Sequence, residues 1–329
     1  MGLFFVFLDG VGLGPAGEEN PFWRFPTPRL RRLLGEALVQ EGIHQEANLL
    51  LWSLDAGLET PGLPQSATGQ TSLFTGINAA ALVGGHLPAF PSPRLQEVIA
   101  THSLLKRAVE RGCRATFANA YSSLYWQRVK TGELRHSAST LSNLAAGLPF
   151  RNEADVAQGQ ALFWDITHTF VRTWLQGVRQ WEPEQAAEVL LGLGEQHDLV
   201  MFESFLTDLV GHRRLPLADE EVVAILDEFL GTLAEGLSPG DTLVVTSDHG
   251  NFEDTRTKTH TRNPVPLLAI GANCRAFRNL ESILDVAGAI LQALNGAGPE
   301  ECFEWWRLIS DAAKLERGQR LARGAGSHL

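Results

Sequence analysis

Short apolar runs closed by breaker residues alternate with longer stretches of helical periodicity along most of this chain. The runs over residues 2–8, 48–54, 115–120, 199–203, 242–247 and 266–270 are too short for helices and predict strands. Apolar residues at three- and four-residue spacing predict helices over 29–39, 96–110 with a break near Thr101, 184–195, 220–234 and 280–294. A small-residue turn over 64–71 leads into one more apolar helical segment, 72–82. Strands alternating with helices predict an α/β fold with crossover helices over a sheet.

Residues 88–181 are less regular, with Pro91 and Pro93, the Ser-rich run 137–142 and the aromatic residues Tyr121, Tyr125, Trp126, Phe163 and Trp164. Within them, 103–120 reads as one further helix-strand unit of the core, and the remainder as a small lid. The division is therefore 1–87 with 182–298 as core, 88–181 as part core and part lid, and 299–329 as a C-terminal helix and disordered tail.

Composition narrows the class. A chain of 329 residues, 44% hydrophobic, can bury one large core, which excludes a disulfide- or metal-stapled module. The 27 basic side chains against 38 acidic ones leave a net charge of -11, which repels nucleic-acid backbones, so no nucleic-acid partner is expected. An anionic substrate would need bound cations to attract it. Cys113, Cys274 and Cys302 are odd in number, which fits a reducing cytoplasm better than a disulfide framework. The run 3–8 lacks a basic leader and ends in Asp9, so it is neither a signal peptide nor a span, and no membrane partner is expected.

The chemistry-bearing residues follow the apolar runs, where ligands bind in open parallel sheets. Asp9 closes the first run, Asp208 and His212 follow the fourth, and Asp248 and His249 follow the fifth. Asp208 and His212 share one face if their segment is helical, able to hold one metal ion or to form an ordinary surface pair. Adjacent Asp248 and His249 can both point into a cleft from a tight turn, and His260, just before the last strand, is a further nitrogen ligand or a structural histidine. Together these oxygen and nitrogen donors, without thiolate, suit two divalent ions, Mn or Zn or else Mg, the usual clamp for in-line displacement at phosphorus. The turn Pro64-Gln65-Ser66-Ala67-Thr68-Gly69-Gln70-Thr71 offers a hydroxyl nucleophile near a helix N-terminus, with amide donors at hand for an anion; its alternative role is a helix cap.

These segments, in this order, resemble the alkaline phosphatase superfamily, closest to its branch of cofactor-independent phosphoglycerate mutase and phosphopentomutase. The matching pieces are Asp9-Gly10-Val11-Gly12, Ser66-Ala67-Thr68-Gly69, Asp208-Leu209-Val210-Gly211-His212, Asp248-His249-Gly250-Asn251 and Thr259-His260-Thr261. The resemblance implies a three-layer sandwich around a mostly parallel sheet, with a small lid insertion. It also implies one metal held by Asp208, His212 and His260, and a second held by Asp9, Asp248 and His249 beside Ser66, the residue that becomes phosphorylated, with Thr68 as the fallback nucleophile. Two features depart from the branch: Gln70 stands where a histidine usually follows the glycine, and the interval between Ser66 and Asp208 leaves little chain for a lid. A reduced lid favours hydrolysis of a phosphomonoester over a mutase that must retain its intermediate, although a homo-oligomer could close the site instead. Arg128, Lys130, Arg135 and His136 are the candidate substrate contacts. A phosphodiesterase is a further alternative. A nucleotide-cofactor oxidoreductase is disfavoured, because Gly10-Val11-Gly12-Leu13-Gly14 does not complete the dinucleotide pattern; a non-catalytic binding protein is disfavoured by the intact ligand set.

Overall fold

The computed structural model describes residues 2–295; the helix and tail expected over 299–329 lie outside them. Seven strands form one sheet: β1 (Leu3–Leu8), β2 (His44–Gln45), β3 (Leu49–Leu54), β4 (Ala115–Phe117), β5 (Leu199–Ser204), β6 (Thr242–Thr246) and β7 (Val265–Gly271). Their order is β2-β3-β7-β6-β1-β5-β4. All six expected strands are present, and β2 is the addition, too short to carry a periodic signal.

β1 explains the layers. All of it is buried, yet its side chains divide with period two: Leu3, Phe5 and Phe7 join one core with Phe74, while Phe4, Val6 and Leu8 join another with Phe202. Helices Ser66–Thr75, Pro93–His102, Leu104–Glu110 and Val286–Asn295 cover the first face. Helices Pro28–Leu34, Pro183–Gly194 and Asp219–Glu235 cover the second, completing three layers.

Direction in the sheet decides where the polar residues meet. β1 runs parallel to β5 and β6, and β5 to β4, but β7 is antiparallel to β6 and β3. No helix lies between β6 and β7 to carry the chain across a face, so it turns back at the edge it has just reached. The start of β7 therefore lies beside the carboxyl ends of β6 and β3, with Leu267 opposite Thr246 and Val265 opposite Leu54.

The irregular stretch 88–181 divides in two. Helix Ala138–Ala145 packs on the core helices Ser66–Thr75, Pro93–His102 and Leu104–Glu110. Ala120, Val156, Ala161, Phe163 and Val171 make a separate small core, joined to the sheet edge by pairing of Asn119 with Leu162. No helix among the described residues is long and apolar enough to cross a membrane.

Candidate metal centre and cleft

Asp9 follows β1, Asp248 and His249 follow β6, and Asp208 rides on the short helix Leu206–Gly211 after β5, with His212 at its C-terminal end. His260 reaches the same edge because β7 is reversed. Ser66 is the first residue of helix Ser66–Thr75, which starts there rather than at residue 72. Ser, Thr and Gly favour caps and turns in isolation, but residues 67–75 are all buried, and packing overrides that preference.

At one end of the site, two imidazoles have their tautomers fixed by carbonyls. His212 donates Nδ1–H to Lys258 O and His260 donates Nδ1–H to Pro64 O, both at 2.7 Å. In neutral rings the two Nε2 lone pairs then face each other at 3.1 Å, and lie 3.3 and 3.6 Å from Asp208 Oδ1. With both rings neutral, these three acceptors converge as ligands around a cation would. Without an ion, a proton on either Nε2 makes that ring a donor to Asp208, and such bonds, with the one from Asn251, outweigh burial and hold the Asp208 carboxyl well below the usual carboxylate range.

At the other end, His249 Nε2 lies 3.4 Å from both Asp9 Oδ1 and Asp248 Oδ2, and 3.0 Å from Ser66 Oγ. Those two carboxylate oxygens are buried and accept no hydrogen bond. Burial pushes Asp248 up to about 7, with the Asp208 charge adding to it, and drives Asp9 well above its ordinary range. Burial also holds His249 down at about 3, a neutral lone-pair donor. The His249 and His260 rings stack at 3.7 Å, so the two ends adjoin. Orphaned carboxylate oxygens and opposed imidazole lone pairs, without thiolate, fit two adjoining divalent ions.

The site opens into a cleft of about 770 Å³ lined by Ser66, Gln70, Arg128 and Arg135 among others. Arg214 and Lys258, which sequence reasoning missed, line it too. Lys130 and His136 do not; His136 Nδ1 is engaged with the Tyr125 hydroxyl at 2.8 Å. Thr68 is fully buried, its hydroxyl donating to Gln65 O and accepting from Leu87 N. The amides expected to bind an anion are also committed, since Ala67 N and Thr68 N both donate to Leu87 O.

A family model described as the Metalloenzyme superfamily matches residues 1–297. This chain belongs to that superfamily. Among curated relatives, the 2,3-bisphosphoglycerate-independent phosphoglycerate mutase of Desulforudis audaxviator is 36% identical over 133 residues, covering 36% of this chain and 26% of that enzyme. The mutase of the same name from Cereibacter sphaeroides is 32% identical over 131 residues, 36% of this chain and 25% of that enzyme. The match thus spans about a quarter of those enzymes' length. Two solved structures share the fold. An alkaline phosphatase from the Antarctic bacterium TAB5 has 14% identity and TM-score 0.53, over 89% of this chain and 97% of that one. A Pyrococcus horikoshii protein has 15% identity and TM-score 0.55, over 90% and 97%.

Behind the donors of this superfamily member stand residues that sequence reasoning missed. Buried Glu253 accepts from Gly12 N at 2.9 Å and Asn251 N at 2.7 Å, and from the side chains of Thr261 and Asn263. One carboxylate thereby joins the loop after β1 to both ends of the β6–β7 connection. Gly12 is needed there, because a Cβ would lie 2.3 Å from that carboxylate. In sequence nothing separates Glu253 from Asp254, which pairs with exposed Arg256. Gln70 Nε2 donates to Asp9 Oδ2 at 3.0 Å, so the residue that departs from the resembled pattern braces a candidate ligand. Glu203, near the end of β5, lines the cleft with Oε2 accepting from Ser139 Oγ and Oε1 unpartnered; burial pushes it up to about 8.

Proposed function

We propose that this metalloenzyme transfers phosphoryl groups from small phosphate esters through Ser66, acting as a phosphomonoesterase. The observation that carries this reading is the Ser66 hydroxyl, 3.0 Å from His249 Nε2 and open to the cleft. Asp208, His212 and His260 would hold one ion, and Asp9, Asp248 and His249 the other, of Mn, Zn or Mg. Such ions supply Lewis acidity toward phosphoryl oxygens. Ser66 Oγ bonds to phosphorus as the ester oxygen departs and takes up a proton, and water then cleaves the phosphoserine to inorganic phosphate and free serine. With the first-turn amides committed to Leu87, the protein's positive partners for the phosphoryl group are cleft side chains such as Arg128 and Arg214. A small phosphorylated metabolite in the cytoplasm suits this arrangement.

A phosphomutase is the second reading, favoured by the names of the curated relatives. Against it stands the small size of the separate core beside the cleft, which makes a slight lid for retaining an intermediate. A screen of phosphate monoesters, sugar phosphates and diesters with Mn or Zn tests both. Phosphate release is expected, reduced at least about a thousandfold in Ser66→Ala and in Asp248→Ala with His249→Ala. Isomer formation without release would establish the mutase, and full activity in Ser66→Ala would remove the nucleophile assignment.

A further inference from the structure

A phosphoryl group on a three-carbon acid would occupy a small part of the cleft, whose volume of about 770 Å³ matches sites for much larger ligands. Its walls are aromatic. Phe205 and Leu209 border it from the segment that carries Asp208. Trp164 lies 6.3 Å from Phe205 between ring centroids, is backed by nearly parallel Phe170, and is followed by Trp174 at 6.4 Å and 28°. Trp164 and Trp174 both line the cleft, and Trp174 leaves 57% of its surface exposed. Tyr121 and Tyr125, also in the lining, spend their hydroxyls on Thr140 and His136, so these two side chains offer rings rather than free hydroxyls.

We propose, resting on the phosphoryl-transfer reading, that the cleft selects phosphate esters whose alcohol portion carries a flat aromatic ring system, which stacks on the Trp164–Trp174 shelf while the phosphoryl group reaches Ser66. Trp174, 57% exposed in the cleft lining and tilted by 28° from Trp164, offers apolar ring surface that a planar ring can cover. A small polyol phosphate would leave this shelf wet.

The test uses the full chain loaded with Mn and three alkyl esters of similar leaving-group acidity: 2-(1-naphthyl)ethyl phosphate, butyl phosphate and octyl phosphate. The naphthylethyl ester is expected to have the highest kcat/KM. Trp174→Ala, a change at an exposed position, should lower its kcat/KM about tenfold more than that of butyl phosphate. Saturation-transfer NMR with 2-(1-naphthyl)ethanol reads the shelf without turnover, and its signal should fall in Trp174→Ala. Hydrolysis with no naphthyl preference, or an octyl ester equally good and equally sensitive to Trp174→Ala, overturns the proposal and leaves phosphoryl transfer standing. Binding of the alcohol at Trp174 without hydrolysis of any ester sinks the phosphomonoesterase reading and upholds the aromatic shelf.

Discussion

At the scale of single residues, the site is a crowd of carboxylates that the fold has to hold against their own repulsion. Asp9, Asp208 and Asp248 are all buried near one another, and a fourth carboxylate, Glu253, fixes the loops that bring two of them in. Glu253 works because both oxygens are acceptors facing donors. Glu253→Gln replaces one of them with an NH2 group that meets two donors instead of receiving them. The variant should lose about 2–4 kcal/mol of stability, since each buried hydrogen bond to a charged group contributes roughly 1.5–3 kcal/mol. Urea unfolding followed by circular dichroism measures this, and an unchanged midpoint would mean that the two loops do not depend on Glu253. The small core beside the cleft supplies a pH effect away from the metal ligands. Burial holds His168 down at about 4 from an ordinary 6.5, so the stability gained by burying the neutral ring is present above pH 6.5 and lost as pH falls through 4. Burial pushes Asp165 up to about 6 from 3.8, so its contribution is present below 3.8 and lost as pH rises through 6. The two oppose each other between pH 4 and 6. Asp165→Asn removes one of them and keeps an oxygen for the Phe170 and Val171 amides, so stability should fall more steeply on acidification than in the parent, by up to about 1.4 kcal/mol per pH unit. Denaturant midpoints at pH 4, 5 and 6 check the difference in slope; parallel curves would show that Asp165 ionises normally.

Among elements, helix Ser66–Thr75 has the narrowest tolerance. Gly69 lets it lie against the loop after β6, since a Cβ there would stand 2.9 Å from the Asp248 carbonyl and 3.1 Å from Asp248 Cβ. Gly69→Ala favours the helix locally but forces it off that loop, and with it moves Ser66 from His249. Overpacking of this kind costs about 1–3 kcal/mol. Turnover should fall further than stability does, by more than about tenfold, because small displacements of positioned groups are expensive in rate. Parent-like kcat with a normal melting temperature would show that the helix has room. The same helix marks the limit of what the sequence reveals. Buried strands such as β1, β5 and β6 are legible because a strand covered on both faces is a continuous apolar run. The candidate ligands are legible because they follow those runs. The first two turns of the Ser66 helix are not, since their serine, threonine and glycine residues favour turns until packing buries them. The reversal of β7 is equally silent in its own residues, being decided by a helix-free connection. Glu253 was hidden for a different reason: its role is to tie its own β6–β7 connection to the distant loop after β1, and its local pattern is that of a surface acid.

For the whole molecule, the net charge of -11 takes on meaning from where its carboxylates stand. Three of the six candidate donors are acids at one edge of the sheet, and the six come from segments beside β1, β5, β6 and β7. An ion bound there neutralises charge that would otherwise be buried unpaired, and it joins elements from both halves of the chain. The unfolded chain has no such cluster, so ion binding is linked to folding. At an ion concentration 100 times the dissociation constant, each site adds about 2.7 kcal/mol. At about 2.1 cal/mol/K of unfolding entropy per residue, a chain of 329 residues shifts its Tm by roughly 1.5 °C per kcal/mol, so one ion should raise Tm by about 4 °C and two by about twice that. Chelated protein titrated with Mn or Zn in a calorimeter should reproduce the rise, and Asp248→Ala, which leaves Asp208, His212 and His260 in place, should retain about half of it. A chelated protein whose Tm responds to no divalent ion would mean that the carboxylates are relieved by protons alone, and the assignment of all six donors would fall together.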